Sequence, residues 1–414
     1  MNSILMVFYQ QIKNSTQNKV GSDKITFLKS PTMKIAHHLA SKEFIIVMML
    51  FLISCRPATN DETTASNPTI RINHIQVIGS HNSYKKAIVP ALMKLLMAED
   101  SSLFYSLDYQ HISLQEQLEL GLRNLELDVV HDPEGGRYSN PLGVRMIQQT
   151  GEASLPYDTL GKMETPGFKV LHIPDVDFRS NCLRFTDCLR EIKNWSDAHP
   201  HHLTVAITIN AKSDIIDRPG FVRPLPFTSA ALDSLDAAIL SVFPETQIIK
   251  PDDVRGNFET LEAAVKAHNW PVADSARGKF IFVLDETGEK QRNYIRGHVA
   301  LQNRVMFVNA SPGSPEAAFI ILNDPVRYQD SIQQLVKIGY LVRTRADAGT
   351  LEARAGDYRR FEAALTSGAH FITTDYYLVD ERFGTNYRIQ LPGGVIARCN
   401  PVLSPVECQT KELE

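Results

Sequence analysis

Eight short apolar runs of β type, separated by stretches of helical periodicity, constrain this chain more than anything else in it. The runs fall at 75–78, 124–130, 168–173, 203–210, 279–285, 304–308, 340–345 and 369–374. Helix-like sequence fills most of the gaps, at 114–120, 183–198, 229–243, 260–268, 328–337 and 357–367. Strand alternating with helix predicts a parallel sheet, because a parallel neighbour needs a crossover of about a dozen residues or more. Eight such units predict a closed (β/α)8 barrel of the TIM type in one catalytic domain rather than an open sheet. In such a barrel the chemistry gathers at the carboxyl ends of the strands, so the residues that end each run are the ones to weigh.

The first run ends in Gly79-Ser80-His81-Asn82-Ser83-Tyr84, which places a titratable ring and a neutral amide at one rim. The second, Leu125-Glu126-Leu127-Asp128-Val129, puts Glu126 and Asp128 on one face and the aliphatic residues on the other, by the period of two. Two carboxylates side by side in an apolar strand repel each other and lose solvation. A cation between them relieves both costs. Paired carboxylates with an amide oxygen suit a hard ion, Ca2+ or Mg2+. The third run ends in His172. Two histidines beside two carboxylates form a constellation for acid–base phosphoryl chemistry. Asn210 and Lys212 end the fourth run, and Lys212 is suited to a phosphate or sugar hydroxyl. Arg343 and Arg345 share a face of the seventh and require anions, either those carboxylates or a substrate phosphate. Asp375, Tyr376 and Tyr377 end the eighth and offer a polyol ring one carboxylate and two phenols.

The amino terminus reads as a targeting segment. From Met33 a basic stretch with Lys34 and Lys42 leads into an apolar run at 44–53, too short to span a bilayer, and then Leu52-Ile53-Ser54-Cys55. That ending resembles the lipobox of bacterial lipoproteins, in which the cysteine is acylated and becomes the new amino terminus. Cys55 is the expected lipidation site, and residues 1–32 lie upstream of the expected start. The expected divisions are therefore 33–54 signal peptide, 55–70 a flexible tether rich in Pro, Thr, Asn and Ser, 71–395 the barrel, and 396–414 a carboxyl-terminal tail. The expected location is the bacterial cell envelope, held by lipid. The other four cysteines form two local pairs, Cys182 with Cys188 and Cys399 with Cys408, as disulfides suited to an oxidising compartment. A zinc site would need a CxxC spacing that is absent. A net charge of −4 gives no footprint for nucleic acid.

The ordered set Ser80-His81-Asn82-Ser83-Tyr84, Gly121-Leu122-Arg123-Asn124-Leu125-Glu126-Leu127-Asp128, Val170-Leu171-His172, Trp270-Pro271, Arg277-Gly278-Lys279, Val342-Arg343-Thr344-Arg345-Ala346-Asp347, Thr373-Thr374-Asp375-Tyr376-Tyr377 and Ala397-Arg398-Cys399-Asn400-Pro401 resembles the calcium-dependent phosphatidylinositol-specific phospholipases C of bacteria. The likeness runs over about residues 71–408. It implies His81 and His172 as the catalytic pair, with the order of base and acid open, and Asn82, Glu126 and Asp128 as ligands of Ca2+. A further ligand, a Glu in the family, falls at Asn210, an amide oxygen without charge. Lys212, Arg343 and Tyr376 or Tyr377 fall where the family holds the inositol headgroup, and Arg345 and Asp375 stand beside them. The implied substrate is an inositol phospholipid headgroup at a membrane surface, with no protein partner. A glycerophosphodiester hydrolase on the same barrel, or a lipoprotein binding module that has lost catalysis, are the rival readings.

Overall fold

The computed structural model describes residues 69–413, apart from 153–155 and 407. The expectations for the signal peptide, Cys55 and nearly all of the tether lie outside the described residues. Among the described residues no helix is long and apolar enough to cross a membrane.

Among the described residues ten strands form two five-stranded sheets. In chain order they are β1 (Ile75–Ser80), β2 (Asn124–Val130), β3 (Lys169–Val170), β4 (Val205–Ala211), β5 (Phe280–Leu284), β6 (Phe307–Val308), β7 (Phe319–Ile321), β8 (Leu341–Arg345), β9 (Phe371–Thr374) and β10 (Ala397–Cys399). One sheet runs β10-β1-β9-β8-β7 and the other β3-β2-β4-β5-β6. Hydrogen bonds cross both seams. Arg123 N donates to Ile78 O at 2.9 Å between β1 and β2, and Asn309 bridges in parallel to Phe319 between β6 and β7. Eight strands, all but β3 and β10, therefore follow one another round a barrel of the TIM type with every ladder parallel. β1, β2, β4, β5 and β9 are buried throughout, as expected of strands covered on one face by helices and on the other by the barrel interior.

The third predicted run departs from expectation. β3 pairs antiparallel with the end of β2, Val129 opposite Val170 and Val130 opposite Lys169. β4 occupies one edge of β2 over Asn124–Val129, and β1 meets the other edge lower down. Ser83 bonds Glu126 on that edge, and β3 returns along the end of the strand beyond it. The barrel position left over goes to β7, whose run Ala317-Ala318-Phe319-Ile320-Ile321-Leu322 is apolar but brief. The carboxyl-terminal segment is likewise more than a tail. β10 lies antiparallel on β1, Ile75 opposite Cys399, and the Cys399–Cys408 disulfide closes the turn that follows. The second disulfide joins Cys182 to Cys188 at the start of the helix Phe185–Ala198.

At the seam between β1 and β2 the backbones come unusually close. A Cβ placed on Gly79 would stand 2.5 Å from both the Cβ and the carbonyl oxygen of Asn124. Only a residue without a side chain lets these strands meet and brings His81 within reach of Glu126. Gly79→Ala is expected to lower unfolding stability by about 1–3 kcal/mol through this overpacking, read as a fall in the midpoint of chemical denaturation at unchanged slope.

Candidate active site

The site is built at the carboxyl ends of β1, β2, β4, β8 and β9. His81 follows β1 directly. Its Nδ1 lies 2.9 Å from Asp375 Oδ1, at the end of β9, and its Nε2 lies 3.2 Å from Arg345 Nη1, at the end of β8. A guanidinium can only donate, so Nε2 accepts and Nδ1 carries the proton that Asp375 receives. Burial disfavours the charged ring, and the Arg345 guanidinium adds to that, against a smaller opposing pull from Glu126. The imidazole is thereby held neutral, well below its ordinary titration range, with the Nε2 lone pair turned into the mouth. Asp375 Oδ2 receives a second bond from Arg345 Nη2 at 2.9 Å. Beneath it Asp347 accepts from the backbone N–H of Asp375 at 2.9 Å and from the Thr374 hydroxyl. Burial, and then the neighbouring charge of Asp375, raise Asp347 to about 7.

His172 reaches the same mouth from the rim, because β3 runs downward beside β2, and Leu171 N bonds Asp128 O. Its Nδ1 lies 2.8 Å from Asp177 Oδ2. It is an electrostatic neighbour of both His81 and Asp375. Each histidine is therefore oriented by its own carboxylate, an arrangement that fixes the ring and leaves the other nitrogen for chemistry.

Glu126 and Asp128 share the inner face of β2 as the alternation predicts. Glu126 Oε2 is bonded by Arg343, and Oε1 accepts from Asn210 Nδ2 at 2.8 Å. His81 Nε2 stands 4.0 Å from that same Oε1. Asp128 lies opposite Asn210 in the ladder, and its Oδ2 is 3.4 Å from Lys212 Nζ. Burial works against the Lys212 charge, yet Asp128, Asp214 and Glu286 together hold its pKa above the ordinary value. Arg343 also donates to Asn323 Oδ1 at 2.7 Å. The backbone at Asn82 is left-handed, with φ 48°, and its Nδ2 donates to the Tyr109 hydroxyl at 2.7 Å.

A sequence profile described as phosphoinositide phospholipase C, Ca2+-dependent, matches residues 70–401. The chain belongs to this family. It is accordingly a phosphodiesterase. Among solved structures it is similar to a calcium-dependent phosphoinositol-specific phospholipase C from a Gram-negative Pseudomonas sp., in its apo form with myoinositol. That match has 17% identity and a TM-score of 0.48, over 81% of this chain and 96% of that one. A Ca2+-dependent phosphatidylinositol-specific phospholipase C from Streptomyces antibioticus matches at 18% identity and a TM-score of 0.46, over 74% of this chain and 95% of that one. The phosphatidylinositol-specific phospholipase C of Listeria monocytogenes matches at 11% identity and a TM-score of 0.41, over 78% and 94%. No curated protein matches.

The phospholipase family is calcium-dependent, so the donor set must be weighed against that ion. Among the described residues no three His, Cys, Asp or Glu side chains form a metal cage. The oxygens that do gather are hard donors. Asp128 Oδ1 is buried with no hydrogen-bond partner, while Lys212 stands against the other oxygen of the carboxylate. Asn82 keeps its Oδ1 as acceptor once Nδ2 is taken by Tyr109, and each Glu126 oxygen retains a lone pair beyond the bond it accepts. Asn82, Glu126 and Asp128 thus fit a Ca2+ ion that completes its shell with water or substrate. Asn210 stands at the same place, opposite Asp128 in the ladder, and its amide N–H donates to Glu126 Oε1.

The headgroup residues named from sequence divide in two. Lys212, Arg343 and Arg345 stand in the site, each against a carboxylate of it. Asp375 serves His81 rather than a ligand. Tyr376 and Tyr377 are packed away from the mouth in this structure, 3% and 7% exposed. The Tyr376 ring packs against Phe383 and Tyr387, and Tyr377 stacks on His111 and receives the Ile112 N–H, so neither phenol has a face for a polyol. Asp177, Lys85 and Tyr109 were missed by sequence reasoning. The available signal was Asp177 in the turn His172-Ile173-Pro174-Asp175-Val176-Asp177, one short loop after a candidate histidine.

Asp375→Asn should cut kcat by about a hundredfold or more with the fold intact, because an amide N–H at His81 Nδ1 forces the proton onto Nε2 and removes the lone pair from the mouth. Steady-state kinetics beside a circular dichroism spectrum check this.

Proposed function

We propose that the protein is a Ca2+-dependent phosphatidylinositol-specific phospholipase C that acts on an inositol lipid at a membrane surface and releases diacylglycerol and an inositol phosphate. The observation that carries the reading is His81, kept neutral between Asp375 and Arg345 with Nε2 facing the carboxylates of β2. A neutral buried imidazole is a base. His81 Nε2 takes the proton of the inositol 2-hydroxyl. That oxygen attacks the adjacent phosphorus in line, the phosphorus–oxygen bond to glycerol breaks, and the departing diacylglycerol oxygen receives its proton from His172. The cyclic phosphate is then opened by water with the proton roles exchanged.

The substrate hydroxyl takes the place of Arg345 at Nε2. The displaced guanidinium stays tied to Asp375 and turns to a phosphoryl oxygen, where charge grows in the transition state. Arg343 and Lys212 add positive charge on the opposite side. Ca2+ bound at Asn82, Glu126 and Asp128 would supply charge that lowers the hydroxyl pKa and offsets the phosphoryl oxygens. The basic and apolar stretch ending at Cys55 supports an envelope protein held by lipid, with the barrel mouth turned to its substrate.

Release of inositol phosphate from phosphatidylinositol vesicles tests the reading. Turnover is expected with Ca2+, is lost on chelation and returns on adding the ion back. His81→Ala and His172→Ala should each slow it by at least about a hundredfold. Turnover of glycerophosphodiesters with none of phosphatidylinositol would overturn the assignment. Asn210→Asp, which sets a third carboxylate beside Glu126, should lower the Ca2+ concentration for half-maximal activity, measured by titration with buffered calcium.

A further inference from the structure

Lys85 is a lysine with no solvent contact, at 0% exposure, five residues beyond the end of β1. Its ammonium donates to the carbonyl oxygens of Leu107 at 2.9 Å and Tyr109 at 3.0 Å, lies 4.6 Å from the centre of the Tyr109 ring, and stands 3.3 Å from Asp177 Oδ1. That last contact is off the hydrogen-bond direction and acts as an ion pair. The other oxygen of Asp177 holds His172 Nδ1 at 2.8 Å. The backbone reinforces the link. Asn181 N donates to Tyr84 O at 2.7 Å, Lys86 N donates to Arg179 O at 3.2 Å, and Lys85 bridges antiparallel to Ser180, so the segment carrying Lys85 is sewn to the turn carrying Asp177. The loop that begins with one histidine thus grips the loop that orients the other.

From this geometry we propose that Lys85 is a positioning residue for His172, acting through Asp177. The inference rests on the phospholipase reading given above. A buried carboxylate keeps its charge only beside a cation. Deprived of Lys85, Asp177 loses the cation that holds Oδ1 and is free to turn Oδ2 away from His172 Nδ1. The ring then loses the bond that fixes its orientation and its tautomer. His172 can no longer cycle between proton donor and acceptor toward the leaving group. A lysine that only pinned the 107–109 loop would instead weaken the fold without any particular dependence on Asp177.

The test is a double-mutant cycle in the full chain. Lys85→Met, Asp177→Asn and the pair are assayed for kcat and KM on phosphatidylinositol, with His172→Ala as reference and thermal unfolding as the check on folding. Each single change is expected to lower kcat about tenfold to a hundredfold with KM moved less than about twofold. The pair should be no slower than the worse single, since both remove one function. Multiplying losses in the pair, or a wild-type kcat for Lys85→Met, would overturn the link while the phospholipase reading stood. A wild-type kcat for His172→Ala would overturn the link by removing His172 from the reaction, whereas failure of the unaltered chain to turn over phosphatidylinositol would overturn the phospholipase reading itself. If Lys85→Met gives no folded protein, the cycle is run with Lys85→Arg: its loss of kcat should vanish in the Asp177→Asn background, and persistence of that loss would overturn the proposal.

Discussion

Charge compensation in a dry barrel mouth is the constraint on which this structure turns. Asp128, Glu126, Asp375 and Asp177 are all buried, and each has a basic side chain against it: Lys212, Arg343, Arg345 and Lys85. A buried carboxylate without such a partner protonates or unfolds its surroundings. The pairings therefore decide which oxygen faces the cavity, which imidazole nitrogen keeps a lone pair, and where a cation from solution can still find an anionic donor. Asp128 Oδ1 is the place where the compensation is incomplete, and it is the oxygen best suited to a metal.

That arrangement also explains why the two histidines differ although both sit against an aspartate. His81 has a guanidinium on its free nitrogen and is driven neutral. His172 has only the far end of the Lys85–Asp177 pair behind it. In the proposed reaction the first takes a proton and the second gives one.

Much of this was legible along the chain, and the reasons differ by element. β2 could be read to the residue, because six consecutive positions, Asn124 to Val129, alternate polar with aliphatic. His81, Glu126 and Asp128 come together because strand ends in a parallel barrel converge, whereas His172 reaches the mouth on a return strand that this rule does not describe. β7 was not legible, since a three-residue strand carries too little periodicity to stand out from a connection. The reversal of β3 was not, because direction depends on which edge of β2 is free, a property of the assembled sheet. Tyr376 and Tyr377 misled for a related reason. A strand end indicates the mouth, but alternation beyond the strand fails once the chain turns, and Thr374 and Asp347 turn it there. Lys85 was invisible as anything but a solvated lysine, because its value lies in a contact with a loop ninety-odd residues away.

β1 has one edge divided between two partners: β10 covers Ile75–Val77, and β2 takes over at Ile78. Its other edge belongs to β9. The strand that delivers His81 is made early, yet two of its three neighbours come from the last tenth or so of the polypeptide. During synthesis on a ribosome, the nascent chain therefore carries His81 on an incomplete edge until β9 and β10 have emerged. The mouth built on that strand closes late, a delay written into strand order.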